Sequence, residues 1–359
     1  MTYAIAAAGT GGHVYPAIAV ADALVDRGIP TDEIVFFGGD RMEAEAVPAA
    51  GYRFVPVKIH GLRRSLSMEN LELPGLVWRA AATMTETMAA SGTKVVTVFG
   101  GYVSGPAAVA AGRAKATLFL HEQNAVPGLA NRIISWRAET SFVAFPAAMD
   151  RLRHSRLVGN PLRRDLRRFD RRLLRPEARH RYDLPADVPV LGVLGGSLGA
   201  QVVNDVVARI ADDADADQLA IVHLTGTAHH DTVAARAARS GITWRTVPFE
   251  DAMPMFYAAA DLVLARAGAV TVSELAMTAT PAVLVPLEAV GQEGNADYLA
   301  HGGGAVVVPE ASIDRVPVDV QQLMLDPERR RVMGAAAGAL ARPEAADVVA
   351  AVMAEAADG

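Results

Sequence analysis

GGSLGA at residues 195–200 is the stretch that decides the fold prediction. An apolar run at 188–194 precedes it, and apolar side chains recur at helical spacing in residues 201–212. A strand, a glycine turn and a helix in this order can hold a phosphate, because small residues let backbone N–H groups approach it and the helix N-terminus carries about half a positive charge. A tight turn without a ligand remains the alternative, since glycine-rich turns are common in this fold class.

A similar stretch near the N-terminus favours the ligand-binding interpretation. GTGGH at 9–13 follows an apolar run at 3–8, and Pro16 opens a helix that is predicted to run to Arg27. A chain of 359 residues is also too long for one ordinary core. We therefore predict an α/β protein with two Rossmann-like domains, each a doubly wound parallel sheet, that face each other across a cleft.

Apolar runs alternate with helical patterns in both halves, as they do in parallel sheets covered by helices. The predicted strands of the first half span residues 3–8, 34–38, 54–57, 95–99, 117–121, 140–143 and 156–158. Those of the second half span residues 190–194, 221–224, 244–247, 262–265, 282–285 and 305–308. The predicted domains are 1–158 and 159–342, and a C-terminal helix at 343–359 joins the first domain. We expect the basic segment 151–182 to be a solvated helix face near the domain junction.

Composition limits the possible function classes. Apolar residues make up 51% and charged residues 21%, so the chain can bury a large core. The net charge of −6 argues against a general nucleic-acid-binding protein. The absence of cysteine excludes disulfides and thiol nucleophiles and agrees with a cytoplasmic location. We expect no secretory signal, and no apolar run reaches the roughly 18 residues that span a bilayer, so a membrane substrate would be met at the surface.

Loops at the carboxyl ends of the first-half strands predict a site, because those ends share one sheet edge. GGYVSGP at 100–106 follows one strand, and HEQN at 121–124 follows the next. His13, in GTGGH, lies at a predicted helix start, where the helix dipole lowers the pKa of the imidazole and keeps it neutral, as a general base requires. A structural histidine that hydrogen-bonds the backbone is the alternative.

Polar residues follow two strands of the second half. Glu274 could accept hydrogen bonds from both hydroxyls of a ribose, or it could close a capping box with Thr271 and only stabilise the helix start. Gln292 and Asn295 could reach sugar hydroxyls or simply begin a helix. DAD at 213–215 matches a metal-binding DxD pattern, but its acidic surroundings favour a solvated turn.

An ordered set of motifs covers most of the chain. It comprises GTGGH at 9–13, DRMEAEAVP at 40–48, GGYVSGP at 100–106, HEQN at 121–124, GNPLR at 159–163, GGSLGA at 195–200, AAADLVLARAGAVTVSELA at 258–276, and Gln292 with Asn295. In these motifs and their spacing the sequence resembles the MurG family, bacterial UDP-N-acetylglucosamine transferases of peptidoglycan synthesis in glycosyltransferase family 28.

The resemblance implies a GT-B fold and an inverting transfer of N-acetylglucosamine. The donor would be UDP-N-acetylglucosamine (UDP-GlcNAc), and the acceptor would be the 4-hydroxyl of undecaprenyl-linked N-acetylmuramyl-pentapeptide, so that lipid I becomes lipid II. It also implies a peripheral location at the cytoplasmic face of the cell membrane, an anionic membrane surface as a partner, no nucleic acid and no cofactor. The first domain would bind the acceptor and the second the UDP-sugar.

The resemblance also implies roles at the matching positions. Donor or acceptor loop contacts are implied for Thr10, Gly11, Gly12 and Asn124, and acceptor-loop positions for Tyr102 and Ser104. Diphosphate contacts are implied for Arg163 and Ser197, and a donor-sugar contact for Gln292. The nucleotide segment consists of Ala269, Val270, Thr271, Val272, Ser273 and Glu274, with Glu274 on the ribose.

Three positions depart from the family pattern. Glu250 stands where the family usually has an aliphatic residue and holds uracil through backbone groups, so only its main chain would be used. Val290 and Gly291 stand where the family has acidic and histidine residues just before the Gln-x-x-Asn element. These departures affect the expected selectivity for the donor sugar.

Inverting transfer is one in-line displacement, in which a base removes the proton of the acceptor hydroxyl while the nucleotide diphosphate leaves. His13 is the predicted base, and Glu122 is the second candidate. The helix start at Ser197 and the guanidinium of Arg163 can hold the charge that grows on the diphosphate, so no metal ion is required.

An apolar and basic cluster between residues 63 and 79 is a candidate membrane contact. Its members are Leu66, Leu71, Leu73, Leu76, Val77 and Trp78, beside Arg63, Arg64 and Arg79. A helix that packs on the sheet in the ordinary way is the alternative.

Other functions remain open. A UDP-sugar epimerase, or another lipid-directed UDP-sugar transferase, could use the same two-domain frame. An epimerase needs further acid/base carboxylates, for which Glu122 is the only obvious candidate. A dinucleotide oxidoreductase is disfavoured because neither glycine loop completes G-x-G-x-x-G. A non-catalytic protein would bind the nucleotide without turnover.

Overall fold

The computed structural model describes residues 2–59, 69–195 and 200–359 of a chain that forms two compact units. Unit 1 comprises Met1–Arg163 and Arg342–Gly359, and unit 2 comprises Arg164–Ala341. The boundaries expected from the sequence follow residues 158 and 342. Arg163, expected in the second domain, therefore lies in unit 1.

Each unit is built on one parallel sheet. In unit 1 the strand order is β3-β2-β1-β4-β5-β6-β7, with β1 (Tyr3–Ala6), β2 (Ile34–Gly38), β3 (Arg53–Pro56), β4 (Val95–Val98), β5 (Thr117–Glu122), β6 (Thr140–Val143) and β7 (Ser155–Leu157). In unit 2 the order is β10-β9-β8-β11-β12-β13, with β8 (Val190–Leu194), β9 (Ala220–Leu224), β10 (Thr243–Val247), β11 (Leu262–Ala265), β12 (Ala282–Leu284) and β13 (Ala305–Val307). Every predicted strand is found, with ends that differ by at most two residues, which confirms the doubly wound α/β prediction.

Helices join the strands and cover the sheets. In chain order they are α1 (Gly11–Asp26), α2 (Glu43–Ala49), α3 (Glu69–Ser91), α4 (Ser104–Ala114), α5 (Leu129–Ile134), α6 (Arg164–Arg167), α7 (Arg171–Arg181), α8 (Gln201–Asp212), α9 (His230–Ala237), α10 (Met253–Ala259), α11 (Ala269–Met277), α12 (Glu293–His301), α13 (Val316–Leu325), α14 (Pro327–Gly338) and α15 (Ala345–Asp358). None of the helices in the described ranges combines the length and apolar composition needed to cross a membrane.

The sheet of unit 1 is buried on both faces, which explains why β1, β2 and β4 are apolar along almost their whole length. On one face α1 packs against α15, with Leu24 and Met353 fully buried. On the other face α3 packs against α4, with Met84 and Val103 fully buried. Burying one such side chain contributes about 1.5–3 kcal/mol, so the C-terminal helix is an integral part of unit 1.

Unit 2 has a corresponding core. α8 and α13 cover one face of its sheet, where Leu191, Val207 and Val320 are fully buried. α10 contributes the fully buried Phe256 and Tyr257 and packs against α7.

Part of the basic segment 151–182, most of which the sequence predicts to be a solvated helix face, is buried. Arg171 of α7 donates from Nη1 to the carbonyl oxygen of Tyr257 (2.7 Å) and from Nη2 to Oγ1 of Thr280 (2.5 Å). Arg179 is only 6% exposed. Cations beside the last carbonyls of a helix are stabilising, so Arg171 joins α7 to the end of α10.

The strand order reverses once in each sheet, and this reversal positions the candidate sites. The chain passes from β1 to β2 in one direction and later returns to place β4 on the other side of β1. In unit 2 the same reversal occurs between β8 and β11. Loops that leave two such strands in opposite directions open a crevice at the carboxyl edge of the sheet, where ligands bind in this fold class.

Candidate functional site

The glycine loop of unit 1 connects β1 to α1 at the strand-order reversal. Thr10 is the N-cap of α1 and is exposed, whereas Gly11 and Gly12 are partly buried. The carbonyl oxygen of Thr10 accepts hydrogen bonds from the backbone N–H groups of His13 (3.0 Å) and Val14 (3.2 Å). A helix that begins on two glycines leaves its first N–H groups sterically accessible, which suits an anionic or hydroxyl-rich ligand.

His13 lies in the first turn of α1, with its ring against the loop after β4. A Cβ atom at Gly100, in the loop after β4, would lie 2.6 Å from Cδ2 of His13, and Gly100 has a φ of +97°. Only glycine fits this position. Burial lowers the pKa of His13, although a hydrogen bond with the backbone of Ala8 and the charge of Glu43 raise it. The imidazole is therefore neutral at pH 7, the form that a general base needs.

His121, the first residue of HEQN, has a structural role. It is fully buried and stacks on Phe99, with ring centroids 5.5 Å apart. Its Nε2 lies 3.0 Å from the carbonyl oxygen of Gly159, and its Nδ1 lies 3.2 Å from Nε2 of Gln123. A carbonyl oxygen can only accept, so Nε2 carries the proton and Nδ1 accepts from the amide of Gln123. Burial lowers the pKa of His121 to about 4.

Glu122, the second candidate base, stabilises its own loop. Its Oε1 accepts from the backbone N–H of Asn124 (2.9 Å) and from Nδ2 of Asn124 (3.2 Å), and its Oε2 accepts from Nδ2 of Asn131 (2.7 Å). Burial raises the pKa of Glu122, and these hydrogen bonds lower it by less. The geometry favours a loop-stabilising role over a base, and it fixes the side chain of Asn124 at the same time.

The two acceptor-loop positions differ in their surroundings. Tyr102 is partly buried, and its hydroxyl donates a hydrogen bond to Oε1 of Glu43 (3.1 Å). Ser104 is fully buried as the first residue of α4, and its hydroxyl has no partner among the described residues. Tyr102 can therefore meet a ligand, whereas Ser104 is not exposed to one. Glu43 lies in the DRMEAEAVP segment but was assigned no role from the sequence.

Unit 2 contains a cavity of about 250 Å³ at its own strand-order reversal. Residues that follow β8, β11 and β12 surround it, namely Gly195, Ala200, Arg266, Gly268, Thr271, Leu287 and Gln292. Ser197 belongs to residues 196–199, which lie outside the described part of the chain. The N-termini of α8 and α11 both begin beside this cavity, so two helix dipoles favour an anion there.

The nucleotide segment forms the first two turns of α11. Ala269, Val272 and Glu274 are buried, and Val270, Thr271 and Ser273 are partly buried. The helix begins at Ala269 with Gly268 as its N-cap, so Thr271 lies inside the helix and the capping box does not form. Instead, Oε2 of Glu274 accepts a hydrogen bond from the hydroxyl of Tyr257 (2.8 Å). No local sequence pattern signals this contact with Tyr257.

The Gln-x-x-Asn element separates into two roles. Gln292 lines the cavity, and its Oε1 accepts from the backbone N–H of Leu287 (3.0 Å). Asn295 is fully buried, and its Nδ2 donates to the carbonyl oxygen of Ala267 (3.1 Å). Asn295 thus fixes the loop after β11, and its complete burial favours this role over the contact with sugar hydroxyls that the sequence left open.

Glu250, Val290 and Gly291, the three departures from the family pattern, have different surroundings. The Glu250 carboxylate accepts from the hydroxyl of Tyr182 (2.6 Å) and from Nη2 of Arg181 (3.0 Å). Burial alone would raise the pKa of Glu250, but these hydrogen bonds outweigh it, and the pKa lies below its usual value. The side chain therefore turns towards α7. Val290 is exposed, and Gly291 adopts a left-handed conformation.

The remaining predicted positions are not among the residues that line this cavity. The guanidinium of Arg163 in unit 1 lies over the ring of Tyr15, 5.1 Å from its centroid. Asp213 follows the C-terminal end of α8, and Asp215 lies two residues beyond it. Within the described residues, no three His, Asp or Glu side chains are arranged to hold a metal ion.

Two models of one sequence family match the chain. The glycosyltransferase family 28 N-terminal domain matches residues 3–143, and the glycosyltransferase family 28 C-terminal domain matches residues 190–349. A relative from Salinibacter ruber is 40% identical over 352 residues, which cover 95% of this chain and 93% of the relative. A relative from Methylococcus capsulatus is 38% identical, with 98% and 97% covered. Both relatives are named UDP-N-acetylglucosamine--N-acetylmuramyl-(pentapeptide) pyrophosphoryl-undecaprenol N-acetylglucosamine transferase.

Solved structures give the same picture of the fold. Acinetobacter baumannii MurG superposes with a TM-score of 0.76 at 26% identity, covering 99% of this chain and 100% of that one. UDP-GlcNAc 2-epimerase from Neisseria meningitidis superposes with a TM-score of 0.70 at only 11% identity, covering 99% and 100%. The second likeness shows a shared fold alone.

We expect His121 to remain neutral, protonated at Nε2, down to about pH 4, which ¹⁵N NMR of the imidazole nitrogens can measure. In the unfolded chain the imidazole takes up its second proton with the ordinary pKa of 6.5, whereas in the folded chain it does so only with a pKa of about 4. Between these two values only the unfolded chain binds the proton. The free energy of unfolding is therefore unaffected by this group above pH 6.5 and decreases by up to about 1.4 kcal/mol per pH unit as the pH falls towards 4. In His121→Gln, this part of the pH dependence of unfolding should disappear. A cationic His121 in the folded protein at pH 6 would contradict the assignment.

Proposed function

Because the chain belongs to glycosyltransferase family 28, we infer that it transfers N-acetylglucosamine from UDP-GlcNAc to undecaprenyl-linked N-acetylmuramyl-pentapeptide. In this role it converts lipid I to lipid II in peptidoglycan synthesis. The observation that carries the inference is 40% identity over 95% of the chain to a relative with that name. The geometry of each unit supports one half of the reaction.

Unit 2 supports the donor half. Its cavity lies beside the starts of α8 and α11, where helix dipoles stabilise the negative charge that develops on a departing diphosphate. We propose that Glu274, held by Tyr257, accepts the ribose hydroxyls, and that Gln292 contacts the sugar. Ser197 and Arg163 are the proposed diphosphate contacts, although Arg163 belongs to unit 1. The side chain of Glu250 turns towards α7, so we propose that its backbone groups contact the uracil of the donor.

Unit 1 supports the acceptor half. A base must remove the proton of the acceptor hydroxyl as the new bond forms, and the neutral imidazole of His13 can do so. We propose Tyr102 as a contact to the acceptor, because its side chain is partly exposed beside the same crevice. Epimerisation would need further acid/base carboxylates. Glu122, the obvious candidate, is occupied by hydrogen bonds within its own loop.

Glu274→Ala should weaken UDP binding by about 10- to 150-fold, since the loss of a hydrogen bond to a charged group costs about 1.5–3 kcal/mol. Tyr257→Phe keeps the carboxylate but removes the hydroxyl that donates to it, and should weaken binding by less. Isothermal titration calorimetry with UDP measures both. Asp297→Ala, on the exposed side of α12, is the control and should bind UDP normally. Unchanged affinity together with a lower melting temperature in Glu274→Ala would assign Glu274 to stability alone.

His13→Ala should lower GlcNAc transfer to a lipid-linked acceptor by about 10²–10⁴-fold, the usual contribution of a general base. UDP affinity should change little, because the proposed donor residues of the cavity lie in unit 2. Loss of UDP binding would instead make His13 a diphosphate contact.

The wild-type protein, incubated with UDP-GlcNAc alone, should yield no epimer. Formation of an epimer without transfer would favour the epimerase.

An exposed apolar and basic surface of unit 1 supports contact with a membrane. Trp78 of α3 and Leu129, Ile133 and Trp136, in and just after α5, are each at least 63% exposed. Arginines lie beside them: Arg113 over the ring of Trp78, Arg153 over the ring of Trp136 at 3.6 Å, and Arg132 and Arg137 in the α5 region. Apolar side chains ringed by cations are typical of interfacial membrane contacts.

The structure covers only part of the membrane contact predicted from the sequence. Leu66, Arg63 and Arg64 lie outside the described residues, as do the side chains of Leu71 and Leu73. Leu76 and Val77 are partly buried, so they belong in part to the packing of α3, whereas Arg79 is exposed. The α5 residues were not predicted from the sequence, although the exposed Leu129 and Ile133 have the i, i+4 spacing of one helix face.

Replacing Leu129 and Ile133 with serine should lower binding to anionic phospholipid vesicles at least about tenfold, because two apolar side chains no longer enter the interface. Sedimentation with vesicles measures this, and UDP affinity should stay unchanged. Replacing Val318 and Leu325, exposed apolar residues of unit 2, with serine is the matched control and should leave vesicle binding intact. An equal loss of vesicle binding in both double variants would contradict a specific membrane contact at the unit 1 surface.

A further inference from the structure

We propose that Glu43 is the positioning residue of the unit 1 site: its carboxylate ties together the loops after β1, β2 and β4 and thereby fixes the places of His13 and Tyr102. Nothing in the sequence patterns gives Glu43 a function. The inference rests on the proposed function, in which these two side chains serve the acceptor.

The Glu43 carboxylate, at the start of α2, is completely buried and accepts three hydrogen bonds. Oε2 accepts from the backbone N–H of Gly9 (3.2 Å), and Oε1 accepts from the backbone N–H of Gly39 (3.0 Å) and from the hydroxyl of Tyr102 (3.1 Å). Gly9, Gly39 and Tyr102 follow β1, β2 and β4, which are neighbours in the sheet. One side chain thus links three loops of the carboxyl edge.

The neighbouring backbone is shaped around this contact. A Cβ atom at Gly38 would lie 2.7 Å from Cγ of Glu43, and one at Gly39 would lie only 2.0 Å from the hydroxyl oxygen of Tyr102. A larger residue at Gly38 would displace Glu43 or Phe54, and one at Gly39 would displace Tyr102. The glycine pair at the end of β2 therefore provides the space that this arrangement needs.

Burying a charge is costly unless it is hydrogen-bonded, and the Glu43 carboxylate meets three donors. An apolar side chain of similar volume would fill the space, but it would leave the backbone N–H groups of Gly9 and Gly39 and the hydroxyl of Tyr102 without this acceptor. What a carboxylate adds is direction, since its two oxygens can accept several charge-assisted bonds at set angles. Its charge also raises the pKa of His13 against the effect of burial, which agrees with a placement close to the base.

Glu43→Gln in the full-length protein is the decisive variant. It keeps the shape of the side chain, but its Nε2 cannot accept from a backbone N–H, so at least one loop loses its contact. We expect the amide resonances of Gly9 and Gly39 to move in ¹H–¹⁵N spectra. The kcat for transfer to a lipid-linked acceptor should fall about 100-fold, because small misplacements of reacting groups have effects of that size. The KM for UDP-GlcNAc should stay within twofold.

Glu45→Gln, on the exposed side of the same helix, is the matched control and should change neither the spectra nor the kcat. Glu43→Asp keeps the charge but withdraws the carboxylate, and it should also lower the kcat. It supplies the same test if Glu43→Gln does not fold. Folded variants with unmoved Gly9 and Gly39 resonances, or with a kcat within twofold of wild type, would overturn the positioning role.

The spectra and the assay separate this inference from the proposed function. If the wild-type protein transfers no GlcNAc while Glu43→Gln still moves both amide resonances, the proposed function is wrong and the linking role of Glu43 stands. If the wild-type protein transfers GlcNAc and Glu43→Gln does so equally well, the proposed function stands and the positioning role is wrong.

Discussion

In each unit the loops of a parallel sheet diverge at the one place where the strand order reverses, and the candidate sites depend on this constraint. Loops from β1 and β4, or from β8 and β11, leave towards opposite faces, so helix N-termini and backbone N–H groups border the space between them. In unit 1 this brings His13 against Gly100. In unit 2 it gathers Arg266, Gly268 and Thr271 around the cavity. Topology supplies the location, and side chains supply the chemistry.

Most strands and the loops that follow them could be predicted, because each depends on the residues of one short stretch of sequence. Parallel strands covered on both faces are apolar throughout, so runs such as 95–99 and 262–265 predict strands without knowledge of their partners. Polar loops after neighbouring strands must meet at one edge, which is why 9–13 and 100–106 could be predicted to share a site. Helix starts were less certain. α11 begins two residues before Thr271, and that shift alone removes the capping box with Glu274.

The contacts that orient the site could not be predicted, because they join residues far apart in the chain. Glu274 is held by Tyr257, 17 positions away, and Glu250 is held by Arg181, 69 positions away. Spacing within one helix or strand carries no information about such pairs. The same limit applies to Glu122, whose place at the carboxyl end of β5 suggests a base although its carboxylate is held by hydrogen bonds within its own loop.

Glycines near the candidate sites serve two different purposes. In unit 1 the space beside Gly39 and Gly100 is filled by the side chains of Tyr102 and His13, so glycine there permits tight packing of the protein with itself. In unit 2 a Cβ atom at Gly268 would make only ordinary contact, 3.4 Å from Oγ1 of Thr271, and the adjacent space is the cavity. In the GTGGH loop of unit 1, a Cβ atom at Gly9 would meet nothing within 4 Å and one at Gly12 only Oγ1 of Thr10 at 3.5 Å, so the space there, like that beside Gly268, remains open to a ligand.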